Sequence, residues 1–337
     1  FLLAIELWSG RSTRTPELVD FQHGLQNENK GLGKLSQVKV WEEELARRFN
    51  ATSFVPLEPD RELCGGTIKV VRQLAFGGLS AIYLAQHNKM NMVVLKEAVE
   101  PANADKQTRE KAEEHFIREA RFLMKLDHPN IAKVMGHFRE DGRDYMILEY
   151  IQGQDLRQYI KQNGRQAEHV VTGWALQIAG IMQYLHEQDP PVLHRDLTPD
   201  NLVLDHDGTV VLIDFGAANQ FVGTATGTLV GKQAYMAPEQ LRGKATTASD
   251  VYSLGATLYY WLTGKDPLPL ASSRPIIEND NVTVELDDLI AAMTMFDTDA
   301  RLANWNSIVE RLREIDFQAR RKFANSQEPG QLPEGVA

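Results

Sequence analysis

Two groups of oxygen-bearing side chains sit near each other in the second half of the chain. HRDLTPDN, residues 194–201, holds the carboxylate Asp196 and, five residues on, the amide Asn201. Asp214 then follows the apolar run VVLI in VVLIDFG. Carboxylate and amide oxygens are hard ligands that suit Mg²⁺. Lys96 lies inside VVLKE, an apolar stretch where an ammonium is costly unless paired. Moving a phosphoryl group from ATP needs such a set, because the reaction asks for positioning and charge neutralisation more than covalent chemistry. Asp196 is spaced to accept the proton of an acceptor hydroxyl. Asn201 and Asp214 are candidates for Mg²⁺, and Lys96 for the ATP phosphates. Glu119, in FIREARFL, is the expected partner that makes Lys96 affordable; a solvent-facing Lys96 with a buried stem is the alternative.

A phosphate-covering loop completes the set. AFGGLSAIY, residues 75–83, stands between two strand-like segments, with Ala75, Phe76, Gly77, Gly78, Leu79, Ser80 and Ile82 as the candidate nucleotide contacts. Gly77 and Ile82 fit a glycine-rich loop of the form G-x-G-x-x-G-x-V, whereas Ala75 and Ser80 replace its outer glycines. Both replacements are small enough to let backbone N–H groups approach phosphate. A plain hairpin is the competing reading of this stretch alone.

The elements that position these residues are legible as patterns. IKVVRQLA, SAIYLAQH and MVVLKEAV are rich in β-branched residues and read as strands. ADKQTREKAEEHFIREARFLMKL carries Phe116, Ala120 and Leu123 at helical spacing and is stopped by HPN. IAKVMGHF and DYMILEYI read as two further strands. Beyond residue 152, AEHVVTGWALQIAGIMQYLHEQ, ASDVYSLGATLYYWLTG, VELDDLIAAMTMF and NSIVERLREIDFQARR carry helix periods. NLVLDH and VVLIDF read as a short strand pair around the turn signal DHDG. The expected fold class is α+β: a small sheet with one helix, residues 67–151, followed by a mainly helical part, residues 152–316.

Ahead of these lies an extension, residues 1–66, in which LSQVKVWEEELARRF places Leu35, Val38, Trp41, Leu45 and Phe49 on one helical face. The opening FLLAIELW is too short to span a bilayer. It reads either as a short buried segment or as the tail of a membrane helix, with Arg11 and Arg14 on the cytoplasmic side. The end, residues 317–337, is expected to be a disordered tail, with FANSQEPGQLPEGVA from about 323 rich in Pro, Gly and polar residues. A net charge of −10 argues against a nucleic-acid surface. The single cysteine, Cys64, rules out an internal disulfide framework and fits a reducing, cytoplasmic setting.

H-R-D-x-x-x-x-N, strand, turn, strand, D-F-G and A-P-E in this order resemble the eukaryotic-type protein kinase family over about residues 67–315. The loop looks more like that of bacterial members. The resemblance implies a bilobal protein-kinase-like fold, ATP and Mg²⁺ as cofactors, and protein substrates. It places Leu148 at the gatekeeper position, Glu149 to Ile151 at the hinge that meets adenine, and Asp155 where an acidic residue contacts ribose. Glu239 and Arg301 match a structural ion pair, and Asp250 matches the helix aspartate that holds the catalytic loop. Pro199 in HRDLTPDN favours serine/threonine over tyrosine specificity.

Two positions depart from the family pattern. Lysine is expected at Thr198, and threonine is expected at Lys232 in GKQAY, so the two residue types are exchanged. Two unit charges about 4 Å apart are worth roughly 4 kcal/mol at an effective dielectric of about 20. Losing one preorganised transition-state donor costs about 2.7–4 kcal/mol. A deleted cation would therefore cripple the site, whereas one moved to the facing segment need not. The expectation is that Lys232 reaches the γ-phosphate while Thr198 bonds Asp196 or Lys232. Between DFG and APE, Thr224, Thr226 and Thr228 could accept phosphate that Arg195 would grip; Thr228 matches the family best, and autophosphorylation in trans would supply it. The competing functions are a pseudokinase scaffold with little transfer and a small-molecule kinase on the same fold.

Overall fold

The structure is a computed structural model that describes residues 54–77, 80–99, 106–214 and 233–327. All of these except Phe54 and Val55 belong to one compact unit, made of Pro56–Val99 and Lys106–Ala337. The segment 35–49, the opening FLLAIELW, Gly78, Leu79, the threonines 224, 226 and 228, and Lys232 lie outside the described residues.

The first part is a six-stranded antiparallel sheet. Its strands are β1 (Glu62–Leu63), β2 (Ile68–Gly77), β3 (Ser80–His87), β4 (Asn91–Ala98), β5 (Val134–Glu140) and β6 (Arg143–Glu149), in spatial order β1-β2-β3-β4-β6-β5. Side chains alternate between faces along a strand. On β4 this sends Lys96 to one face and Leu95 and Glu97 to the other. Lys96 stands in register with Ile82 of β3 and Met146 of β6. Helix α1 (Lys106–Leu123) lies between β4 and β5 in the chain and buries Ala120 and Leu123, two of the residues that carried its helical period.

A second sheet has three short strands, β7 (Gly153–Asp155), β8 (Leu202–Asp205) and β9 (Val210–Leu212); Asn201 directly precedes β8 and Asp214 lies two residues after β9. The DHDG turn joins β8 to β9: Asp205 Oδ1 accepts from the N–H groups of Asp207 and Thr209, and Gly208 takes a positive φ. Gly153 is required by close approach, since a Cβ there would stand 2.3 Å from the carbonyl oxygen of Leu204.

The remaining helices are α2 (Leu156–Asn163), α3 (Glu168–His186), α4 (Thr247–Thr263), α5 (Val284–Met293) and α6 (Trp305–Gln327). Helix α4 is buried along nearly its whole length and starts with a capping box between Thr246 and Ser249. One hydrophobic core runs from Ala120, Met146 and Leu148 through Ile178 and Leu185 of α3 to Leu254 of α4 and Ile308 of α6. The sheet part and the helical part thus share a core, and the expected α+β architecture is the observed one.

Three features differ from the sequence expectation. Strands β1 and β7 have two and three residues, too few to show a period. The eight residues of α2 fall under the same limit. Helix α6 continues through Gln327, so 317–327 is helix rather than tail. Arg320, Arg321, Lys322 and Ala324 are good helix formers, and no Pro or Gly intervenes before Pro329. Arg320 pairs with Asp316 one turn back, and the ring of Phe323 packs on His169 of α3.

Candidate active site

Lys96 and Asp214 meet at the bottom of the first sheet. Lys96 Nζ lies 2.5 Å from Asp214 Oδ1. The lysine is buried, and burial alone lowers its pKa; the Asp214 carboxylate, with smaller help from Glu119 and Asp196, outweighs this and raises it. The expected ion pair with Glu119 is not made: the Glu119 carboxylate contacts His115 Nδ1, one turn back, at 3.9 Å. A buried ammonium takes the nearest carboxylate, and here that is Asp214. Burial raises the Glu119 pKa, and the field of Lys96 opposes it. Glu119 therefore acts on Lys96 through space.

The start of the loop 194–201 is held by the Asp250 side chain. Asp250, in the first turn of α4, is fully buried. Its Oδ2 accepts from the His194 N–H at 2.9 Å and its Oδ1 from the Arg195 N–H at 2.8 Å. His186 Nε2 lies 2.8 Å from the same Oδ2, and Trp305 Nε1 donates to His186 Nδ1 at 2.8 Å. The indole bond makes Nδ1 the acceptor, which leaves Nε2 to donate to Asp250. These bonds hold Arg195 at φ 67°, a left-handed conformation uncommon for a side-chain-bearing residue.

His194 then links the two acidic candidates. Its Nε2 meets the Asp214 carbonyl at 2.6 Å and therefore carries the proton; its Nδ1 accepts from the Asp196 N–H at 3.3 Å. Asn201 donates from Nδ2 to the Asp196 carbonyl at 2.7 Å and to Asp196 Oδ2 at 3.1 Å. Its donors are thus spent on Asp196, and Oδ1 is left as the acceptor. Asp196, Asn201 and Asp214 are brought together as their spacing suggested, with Lys96 bonded to the last.

The oxygen donors suit a hard cation. Among the described residues no three His, Cys, Asp or Glu side chains form a ready-made cage. Mg²⁺ dehydrates reluctantly and is held by one or two protein oxygens plus substrate phosphates and water. Asn201 Oδ1 and the partly exposed Asp214 carboxylate fit that mode.

The other candidates are placed as follows. Ala75, Phe76 and Gly77 pair with Ile82, Ala81 and Ser80 across the β2–β3 hairpin. Leu148 is buried opposite Val94, and Glu149 Oε2 accepts from the Lys133 N–H. Ile151 lies between β6 and β7 and is partly buried. Asp155 caps α2 by accepting from the Gln158 N–H at 2.8 Å; burial, and then the nearby Asp200, raise its pKa. Thr198 is 1% exposed, and its hydroxyl has no partner among the described residues, so the expected bond to Asp196 is absent. Its backbone is extended, φ −125° and ψ 160°, and it is Asn201 that bonds the Asp196 carboxylate. Glu239 and Arg301 make two bonds, at 2.7 and 3.1 Å, as the resemblance implied.

Two anchors were not visible in the sequence. Arg157 of α2 donates to Asp200 at 2.7 Å and to Asp266 at 2.9 Å, between the rings of Tyr235 and Tyr260. Gln240, directly after the APE tripeptide, donates to the Arg195 carbonyl at 2.8 Å. The only available signal was polar character beside a motif, which surface residues share.

Residues 68–323 match the family model described as protein kinase domain. The chain is 32% identical over 222 residues to serine/threonine-protein kinase PknA of Nostoc sp., covering 62% of this chain and 39% of that protein. It is 32% identical over 206 residues to serine/threonine-protein kinase PrkC of Bacillus subtilis, covering 60% and 31%. The chain thus spans well under two thirds of either relative. The solved PknI kinase domain of Mycobacterium tuberculosis superposes with a TM-score of 0.62 at 25% identity, over 77% of this chain and all of that one. No helix among the described residues is long and apolar enough to cross a membrane.

Proposed function

Since the chain belongs to the protein kinase family, we propose that it is an active serine/threonine kinase that moves the γ-phosphoryl group of ATP to hydroxyls of proteins. The observation that carries this reading is the linked set Lys96–Asp214–His194–Asp196–Asn201, which brings cation, metal ligands and base into one network. Asp196 accepts the proton of the attacking hydroxyl, and Asn201 keeps its carboxylate oriented. Lys96 binds the α- and β-phosphates, with Glu119 supporting its charge through space. Asn201 and Asp214 would hold Mg²⁺, which neutralises phosphate charge. Leu148, Glu149 and Ile151 line the base, and residues 75–82 cover the phosphates.

Thr198 and Lys232 form the unusual part of the proposal. Lys232 brings the missing ammonium from the segment before APE, and the buried Thr198 hydroxyl is an open acceptor. Arg195 and Thr228 are proposed to regulate the site through phosphate on that segment.

The test is transfer of labelled γ-phosphate from Mg-ATP to the chain itself and to a generic protein substrate, for wild type, Asp196→Asn and Lys232→Met. The expected result is transfer by wild type and a loss of about 10²–10⁴-fold in Asp196→Asn. A loss in Lys232→Met of roughly 10²–10³-fold would support the exchange. Folded wild-type protein that binds ATP without transfer would favour the scaffold reading, which the absent lysine at Thr198 motivates.

A further inference from the structure

The peptide unit that joins Arg195 to Asp196 is held at both ends. Its N–H is accepted by His194 Nδ1 at 3.3 Å, and its C=O accepts from Gln240 Nε2 at 2.8 Å. On the other side of Arg195, the N–H is bound by Asp250. Arg195 is left-handed at φ 67°, so the chain there relaxes unless its neighbours over-determine it. Relaxation would rotate this peptide plane and, with it, the Asp196 side chain.

Gln240 suits the task by chemistry and by position. It is 8% exposed and starts the 3₁₀ turn Gln240–Arg242. Its Oε1 accepts from the buried Ala237 N–H at 3.0 Å while its Nε2 donates to Arg195. A donor on one side and an acceptor on the other fix the amide orientation, and no other side chain of this length offers both. Glutamate would keep the Ala237 bond but would turn a lone pair toward the Arg195 carbonyl.

We infer that Gln240 is a positioning residue for phosphoryl transfer: it locks the Arg195–Asp196 peptide plane and ties the turn after APE to the base. The inference rests on the reading of Asp196 as the base. A change in the turn at 237–242 is felt at Asp196 through one side-chain amide.

The experiment compares wild type, Gln240→Glu and Gln240→Leu in the full chain, with Asp196→Asn as the reference for the reading itself. Steady-state transfer to a protein substrate gives kcat and the KM for ATP. Hydrogen exchange by mass spectrometry reads the amides of residues 194–198 without needing activity. In Gln240→Glu the Ala237 bond survives, kcat is expected to fall ~10-fold, and the KM for ATP stays within about twofold. Exchange at 194–198 speeds up while protection in α4 is unchanged. If Gln240→Leu does not fold, Gln240→Glu carries the test. Wild-type kcat with unaltered exchange in Gln240→Glu overturns the inference, and so does a loss shared equally by ATP affinity. Failure of the reading shows differently: wild type and Asp196→Asn would then transfer alike, whatever Gln240 does to exchange.

Discussion

Asp250 and Asp214 are both carboxylates in the same network, and their surroundings are opposite. Asp250 is fully buried and accepts from two backbone N–H groups and one imidazole, all of them parts of the fold. The Asp214 side chain is 34% exposed and meets a single cation, Lys96. The first is a fixed part of the helical region, satisfied in every direction. The second is poised on a surface, with one partner that can be exchanged. The difference separates what must not move from what must. The loop bearing Asp196 stands on helices, whereas Lys96 and the candidate metal ligand Asp214 meet across the join between sheet and helices.

Removing Asp250 is expected to have the largest effect. Asp250→Ala leaves two buried N–H groups and His186 without an acceptor, each costing about 1–3 kcal/mol. The expected loss is about 3–5 kcal/mol in denaturant unfolding, together with loss of transfer as Arg195 relaxes. Lys96→Met sharpens the contrast. A partly exposed carboxylate that loses its partner is rescued by water, and a buried ammonium is replaced by an apolar side chain of similar size. Stability should change by about 1 kcal/mol or less, while transfer falls by roughly 10²–10³-fold. A Lys96→Met protein as destabilised as Asp250→Ala would erase the distinction between frame and working group.

How legible this was from the chain depends on distance. Asp196, Asn201 and Asp214 are close in sequence, so spacing alone grouped them. Lys96 was conspicuous as a charge in an apolar strand. The Lys96–Glu119 pair failed because it needed the distance from β4 to α1, which no local pattern encodes; Asp214, 118 residues away in sequence, was the nearer carboxylate. Arg157 and Gln240 look like surface residues until tertiary packing buries their polar ends. Thr198 was marked as unusual by its type, but its orphaned hydroxyl is a property of the folded loop. Element edges were lost for a simpler reason: two- and three-residue strands have no period.

The Glu239–Arg301 pair tests whether the fixed region extends to the turn after APE. Burial pushes the Glu239 carboxyl up, but bonds from Arg301 and Ser249 outweigh it and hold its pKa below the ordinary value of 4.5. The unfolded chain then binds more protons than the folded one between the two values. The stabilisation is present above pH 4.5 and is lost as pH falls through the lower, folded value. Glu239→Gln should cost about 2–3 kcal/mol at neutral pH, because Arg301 is almost fully buried. It should also flatten this acid part of the stability curve, read as denaturant midpoints from pH 3 to 7. An unchanged acid slope would place the charge pair outside the fixed frame.

The smallest effect comes from the far end of the Asp250 network. Trp305, at the start of α6, donates to His186 Nδ1 and packs its ring against that imidazole, with centroids 5.7 Å apart. Trp305→Phe removes the N–H and keeps an aromatic ring. One neutral hydrogen bond is worth about 1 kcal/mol. Beyond that, His186 loses the contact that makes Nε2 the donor to Asp250, so its tautomers mix. The expected outcome is a loss of about 1 kcal/mol in unfolding, a kcat lowered by less than about tenfold, and an unaltered KM for ATP. Imidazole ¹⁵N shifts of His186 would report the tautomer directly. If Nε2 stays protonated in Trp305→Phe, Asp250 alone orders the histidine, and the frame that holds Asp196 ends at α3 rather than reaching α6.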